Sequence, residues 1–123
     1  MVTCAIISLS LLSIQVRAEA PTIYRSQYIK VYAFERVLMT WGDDQWIYFN
    51  DLVKRESNWN SEAKNPASSA YGFGQLLDST WKSVGCEKTS DPYIQIDCTI
   101  KYVKDRYGTP KQAIIFHNKA NWY

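Results

Sequence analysis

Apolar residues recur along most of this 123-residue chain at intervals of three and four, the period of an amphipathic helix, and no segment alternates convincingly as a half-buried strand would. Tyr24, Tyr28, Val31, Tyr32, Glu35 and Leu38 keep that spacing and predict a helix over residues 22–40 that packs by this face. Gly42-Asp43-Asp44 then breaks the chain and offers an Asp as N-cap of a second helix, whose stripe is Trp46, Phe49, Leu52 and Val53. Residues 75–84 predict a third helix, stopped by Gly85. Asp91-Pro92, an N-cap followed by Pro at the first helical position, opens a fourth with Ile94, Cys98, Tyr102 and Val103 facing inward, and Gly108 ends it. Thr109-Pro110 repeats the start signal for a last helix carrying Ala113, Ile114, Phe116 and His117. The expected fold class is mainly α, with at most a short irregular β-hairpin in the loop from Ser61 to Tyr71.

One acid is out of place in this pattern. Glu56 is the fourth residue after Leu52 and the third after Val53, so it continues the apolar stripe of the second helix, while Asp51, Lys54 and Arg55 fall on other faces. Burial penalises the charged form of a carboxyl and raises its pKa, which is what a general acid working near neutral pH requires. Taken alone, Glu56 is as well explained as an edge residue reaching water, because buried acids are rare. The residues around it decide the matter. Glu56 is followed at once by Ser57 and by the loop Asn58-Trp59-Asn60 to Asn65-Pro66, then by Ala70-Tyr71-Gly72-Phe73-Gly74-Gln75, and near the C-terminus by Ile115-Phe116-His117.

These segments, from Trp46 to Tyr123, resemble the catalytic domain of lytic transglycosylases of the soluble (SLT) type, within the lysozyme-like superfamily that includes goose-type lysozymes. Glu56-Ser57 matches the family's first signature, a Glu-Ser pair ending a helix. Gly72 and Gln75 match the second, Gly-Leu-Met-Gln, in which Gly74 stands where Met is expected. The third, Ala-Tyr-Asn, is replaced by Ile115-Phe116-His117. In the family the tyrosine of that signature holds the catalytic Glu, and Phe116 has no hydroxyl to do so. Either another donor, such as Tyr71 or His117, orients the acid, or the acid is less restrained. Two signatures in order at the right separation make a specific match, whereas either alone is weak.

The resemblance implies a peptidoglycan-cleaving enzyme in which one residue, Glu56, does both proton transfers at the bond between N-acetylmuramic acid and N-acetylglucosamine, without cofactor or metal. Ser57, Tyr71, Gly72, Gln75, Phe116 and His117 are the expected substrate-binding residues beside it. Each has a plainer role: Ser57 as a helix end, Gln75 as a surface residue opening a helix, Gly72 as a turn glycine, Tyr71 as core. Trp59, Trp81 and Trp122 are expected in the core rather than as sugar platforms. Asp78 is the candidate second acid and is expected to be solvated at a helix N-terminus. A muramidase hydrolysing the same bond with water, which needs two carboxylates, and a non-catalytic glycan-binding module are the alternatives.

Composition fits a small exported domain. Residues 4–16 are an apolar run too short to cross a membrane, and Val16-Arg17-Ala18 supplies small residues for cleavage after Ala18, so 1–18 read as a signal peptide, or else as a retained anchor. Residues 19–45 then form an N-terminal helical extension and 46–123 the lysozyme-like domain, secreted or periplasmic and expected to be a monomer. Loss of Cys4 with the leader leaves Cys86 and Cys98, an even pair suited to a disulfide, with two reduced buried thiols as the alternative. The net charge of +2 and the scattered basic residues speak against nucleic-acid binding. Peptidoglycan strands are the expected partner, in the service of a phage, a secretion or conjugation apparatus, or wall turnover.

Overall fold

The structure, a computed structural model, describes residues 22–120. Residues 1–18, expected from the sequence to be a signal peptide, and Trp122 lie outside the described residues. The described chain forms five α-helices and no strand: α1 (Thr22–Thr40), α2 (Trp46–Ser57), α3 (Asp78–Ser83), α4 (Pro92–Tyr107) and α5 (Pro110–Ala120). Among the described residues, 31–120 belong to one compact unit. Two isolated antiparallel bridges, Lys64 with Tyr71 and Tyr71 with Leu76, are all the β-pairing in the long α2–α3 connection.

The start signals of the last two helices act as their chemistry dictates. The Asp91 carboxylate accepts hydrogen bonds from the Tyr93 and Ile94 amides at 2.9 and 3.3 Å, satisfying two otherwise orphaned donors at the N-terminus of α4. Thr109 Oγ1 accepts from the Gln112 amide at 3.3 Å at the start of α5. The second helix begins differently from expectation. Asp43 and Asp44 lie in a 3-10 turn, Asp43–Gln45, and the N-cap of α2 is Gln45, without a side-chain cap bond. Gln45 is engaged elsewhere, its Oε1 accepting from the Lys111 amide at 3.1 Å and so joining the start of α2 to α5.

Two further expectations are corrected by packing. In α1 the inward positions are Ala33 and Val37, both fully buried, while Tyr28, Val31, Glu35 and Leu38 are exposed. A three-to-four spacing is satisfied by two adjacent stripes of one helix, and the stripe with the smaller side chains is the one that allows close approach. Tyr32 and Arg36, beside that stripe, both bond the Asp97 carboxylate on α4, at 2.9 Å each. The predicted third helix is also shorter than 75–84. Gln75 has a left-handed backbone (φ 49°) and belongs to the turn between the bridged Tyr71 and Leu76, so α3 starts only at Asp78.

The core lies between α2, α4 and α5. Leu52, Val103, Ala113 and Ile114 form one cluster, and Leu76, Trp81, Val84, Cys98 and Tyr102 another, with Tyr107 packed against both. Trp81 is buried and its indole N–H donates to the Leu76 carbonyl at 3.0 Å. Trp59 rests among Trp46 and Phe73 and donates to Asn50 Oδ1 at 3.0 Å. Both indoles therefore serve packing, with their one donor satisfied. Cys86 and Cys98 are disulfide-bonded across 12 residues, tying the exit of α3 to α4. Closing a loop of that length contributes about 3 kcal/mol through the unfolded chain. Reduction of this bond is expected to lower the midpoint of thermal unfolding by roughly 10–20 °C for a domain of this size, measured by circular dichroism with and without reductant.

Candidate active site

The last turn of α2 carries the candidate acid. Phe49, Leu52 and Val53 are fully buried on one face of this helix, which fixes its rotation against α4 and α5 and turns Glu56 inward with them. Only 16% of the Glu56 side chain is exposed, and burial alone pushes its carboxyl up to about 7 from an ordinary value of 4.5. No second carboxylate contributes to that shift. Asp78, the candidate second acid, points to water at 68% exposure and pairs with Lys88 at 2.8 Å. It sits in the first turn of α3, where negative charge is favoured.

α5 supplies the direct partner of Glu56. His117 Nε2 lies 3.0 Å from Glu56 Oε1, with 18% of the imidazole side chain exposed. Desolvation and the Arg55 guanidinium hold His117 below its ordinary value, against smaller opposing effects of Asp51 and its own backbone, so the imidazole is neutral at pH 7. Arg55 is itself fixed between Asp51 (2.8 Å) and Asn118 Oδ1 (2.6 Å), a clamp from α2 to α5 on either side of the Glu56–His117 pair in sequence. Phe116 packs against α4. Its ring lies 5.4 Å from that of Tyr107, and the Arg106 guanidinium stands over both, 5.4 Å from Tyr107 and 5.8 Å from Phe116. Burial pushes the Tyr107 phenol up, Tyr102 and the Glu56 carboxylate add to the shift, and Arg106 opposes it. Tyr107 is thus within electrostatic reach of the acid.

Ser57 and the residues of the second signature are engaged with the loop that follows α2. The Ser57 hydroxyl is buried, 2.9 Å from the Phe73 carbonyl and 3.1 Å from that of Val53, and so staples the end of α2 to the loop. Gln75 Nε2 donates to the Ala63 and Gly72 carbonyls at 3.0 and 2.9 Å, holding the left-handed turn in which it lies. Gly72 (φ 79°) is pressed against the Gln95 amide, and a Cβ there would come within 2.6 Å of it. Tyr71 packs on the Leu76–Trp81 cluster, with Lys88 Nζ 5.5 Å from its ring centre. Beside it opens a recess of about 380 Å³, lined among others by Lys64, Asn65, Ser68 and Lys88.

Gln95 was not visible in the apolar pattern. It is 1% exposed on α4, with Oε1 accepting from the Phe73 amide at 2.9 Å and Nε2 donating to the carbonyls of Ser61 (2.7 Å) and Thr89 (2.8 Å). One side chain thereby supplies three backbone groups with partners in a loop that lacks regular structure. It takes the inward place expected of Ile94, which is exposed. The available signal was its spacing: Gln95 precedes Thr99 by four and Val103 by eight, on a stripe that is otherwise buried.

Two recesses flank Arg106. One, of about 510 Å³, is lined by Thr80, Tyr102 and Asp105 among others; the second, of about 310 Å³, by Tyr107, Gln112 and Phe116. Among the described residues no group of three or more His, Cys, Asp or Glu side chains is placed to hold a metal ion, and no helix is long and apolar enough to cross a membrane.

An all-helical domain that ends a helix on a single buried, neutral-leaning glutamic acid, held over a bridged loop, is of the lysozyme-like class. Residues 42–121 match the family model described as the transglycosylase SLT domain, and the chain belongs to that family. No curated protein and no solved structure is significantly similar to the chain. At family level, membership implies lytic-transglycosylase-type activity on peptidoglycan, which lies in the periplasm or outside the cell.

Proposed function

We propose that this domain cleaves the β-1,4 bond between N-acetylmuramic acid and N-acetylglucosamine by an intramolecular route, with Glu56 as its only acid and base. The observation that carries this reading is the burial of Glu56, whose carboxyl is raised to about 7 by desolvation, while Asp78, the candidate second acid, is exposed and paired with Lys88. Hydrolysis by either stereochemical course ordinarily needs a second acid within roughly 5 to 9.5 Å. In the proposed reaction Glu56 gives its proton to the bridging oxygen, the bond from muramoyl C1 to that oxygen breaks, and N-acetylglucosamine leaves as the alcohol. The muramoyl C6 oxygen then bonds to C1 and its proton returns to Glu56. The products are a free 4-hydroxyl and a 1,6-anhydromuramoyl end; no water is consumed and the enzyme is regenerated.

The test is mass spectrometry of muropeptides released from purified peptidoglycan. Products one water lighter than the reducing muropeptides are expected. Reducing ends would establish hydrolysis and overturn the intramolecular route; binding to sacculi without release would identify a glycan-binding module.

The pH dependence follows from the same carboxyl. The protonated form is the active acid, so kcat/KM is expected to fall as pH rises through about 7, the value to which burial brings Glu56. An unperturbed glutamate would place that limb near its ordinary 4.5 instead. A profile of initial rates on solubilised glycan strands, from acid to mildly alkaline pH, measures it.

A further inference from the structure

Three recesses open along the C-terminal half of α4, and among the described residues Arg106 is the one side chain that lines all of them. The first, of about 510 Å³, runs past the hydroxyls of Ser79, Thr80 and Ser83 on α3. The second, of about 70 Å³, reaches Gly74 and Gln75 of the second signature, and the third, of about 310 Å³, is bounded by Phe116 of the third signature and by Lys119. Arg106 therefore stands between the two segments expected to bind the glycan. The Tyr107 phenol feels both the Arg106 charge and that of Glu56, so guanidinium and acid share one neighbourhood.

The guanidinium is held by aromatic rings. Its carbon lies 5.8 Å from the ring centres of Tyr102 and Phe116 and 5.4 Å from that of Tyr107. Aromatic faces fix a cation without neutralising it. A planar guanidinium fixed in this way loses little freedom on meeting a carboxylate, which it grips through two parallel N–H···O bonds. Peptidoglycan offers that group on every second sugar. N-acetylmuramic acid carries a 3-O-lactyl substituent that ends in a carboxylate or in a stem peptide bearing carboxylates, while N-acetylglucosamine is neutral. We propose that Arg106 is the specificity-determining residue for the muramoyl unit: its guanidinium binds a carboxylate carried on the lactyl substituent, either the lactyl acid itself or an acid of the stem peptide. The inference rests on the reading of peptidoglycan as the substrate. Lys119 adds a second positive charge to the third recess, and Asp105 is the one acid among the residues lining the three. Glu56 offers little repulsion, because burial favours its protonated form. A cation in the last turn of a helix has a plainer use, against the helix dipole, but Lys104 in the same turn serves it.

The test separates binding from cleavage by using the Glu56→Gln protein. Its dissociation constants are measured by isothermal titration calorimetry for three soluble fragments of equal length: glycan strands with stem peptides, strands freed of them by an amidase so that each lactyl group ends in a carboxylate, and a chito-oligosaccharide, which carries no carboxylate. Arg106→Met, added to Glu56→Gln, keeps an apolar stem over the rings and removes the charge. It is expected to weaken binding of a carboxylate-bearing fragment about tenfold or more and of the chito-oligosaccharide less than about twofold, with a deficit that shrinks as salt is raised. Loss on the amidase-treated strand alone assigns the lactyl acid, loss on the stem-bearing strand alone assigns a stem acid, and loss on both means that either acid is taken. Equal loss on all three fragments would make Arg106 a packing residue of α4 and overturns the proposal, as does loss on none. Thermal melts check folding. Should the Met variant melt early, Arg106→Lys, which keeps the charge without the planar fork, is expected to show a smaller loss confined to the same fragments. If the Glu56→Gln protein with Arg106 intact binds none of the fragments, the proposal and the substrate reading fall together. If binding depends on Arg106 while the wild type releases no anhydro products, only the intramolecular route fails.

Discussion

Glu56→Gln is expected to cut muropeptide release at least about a thousandfold and, above pH 7, to make the domain more stable than the wild type. The two effects have one cause. Gln retains the shape of the acid, but it holds no transferable proton, so both proton transfers are lost together. Burial raises the folded-state pKa of Glu56 from an ordinary 4.5 to about 7. The sign is that of a raised acid: below 4.5 the group is protonated whether folded or unfolded, and no penalty arises. Between 4.5 and 7 the unfolded chain releases the proton more readily, so stability falls as pH rises, and above 7 the full penalty of a buried carboxylate is present. Thermal melts of the two proteins at pH 4, 6 and 8 are expected to coincide at the lowest pH and to diverge upward, with the variant the more stable. A variant less stable at pH 8 would mean that the carboxylate is held by partners that favour its charge, which is incompatible with a neutral acid.

The second large effect is expected at Gly72→Ala, a change of one methyl group with an expected cost of about 3 kcal/mol or more. Part is backbone strain, because φ is 79° and a Cβ disfavours that region by roughly 1–2 kcal/mol. The larger part is displacement. The added carbon would stand 2.6 Å from Cδ and Oε1 of Gln95, and that amide cannot swing aside without orphaning the Phe73 N–H and the carbonyls of Ser61 and Thr89. Gly108→Ala separates the two contributions. Gly108 has the same left-handed sign (φ 82°), and an added methyl there would meet nothing within 4 Å, so it is expected to cost only the strain. Urea denaturation of both variants measures the difference. Because Ser57 ties the end of α2 to the Phe73 carbonyl, Gly72→Ala is also expected to lower activity in the fraction that remains folded.

Much of this architecture was legible because it rests on local signals. An Asp-Pro or Thr-Pro pair followed by helix-forming residues is read by the backbone within a few residues, and α4 and α5 begin where those pairs stand. The inward turn of Glu56 was legible for a similar reason: a residue four after Leu52 and three after Val53 shares their face wherever the helix packs. Position within a stripe is therefore a statement about one element, and one element suffices to make it.

What the sequence could not determine is what meets across elements. The face by which α1 packs depended on a close approach that admits Ala33 and Val37 and leaves Tyr28 exposed. The place of Gln75 in a left-handed turn, rather than at a helix start, depended on the Ala63 carbonyl reaching its amide and on the bridge from Tyr71 to Leu76. Gln95 looked like any polar residue until the loop's unpaired backbone groups were seen to converge on it. The partner of Glu56 was the most tertiary of these features. Tyr71 and His117 were equal candidates along the chain, and only the packing of α5 on α2 sets His117 at 3.0 Å, while Tyr71 packs partly buried against the Leu76–Trp81 cluster. Periodicity and capping specify how a segment coils and which side it buries. The contacts that orient an acid or fill a turn are distances between segments, and those exist only once the helices have packed.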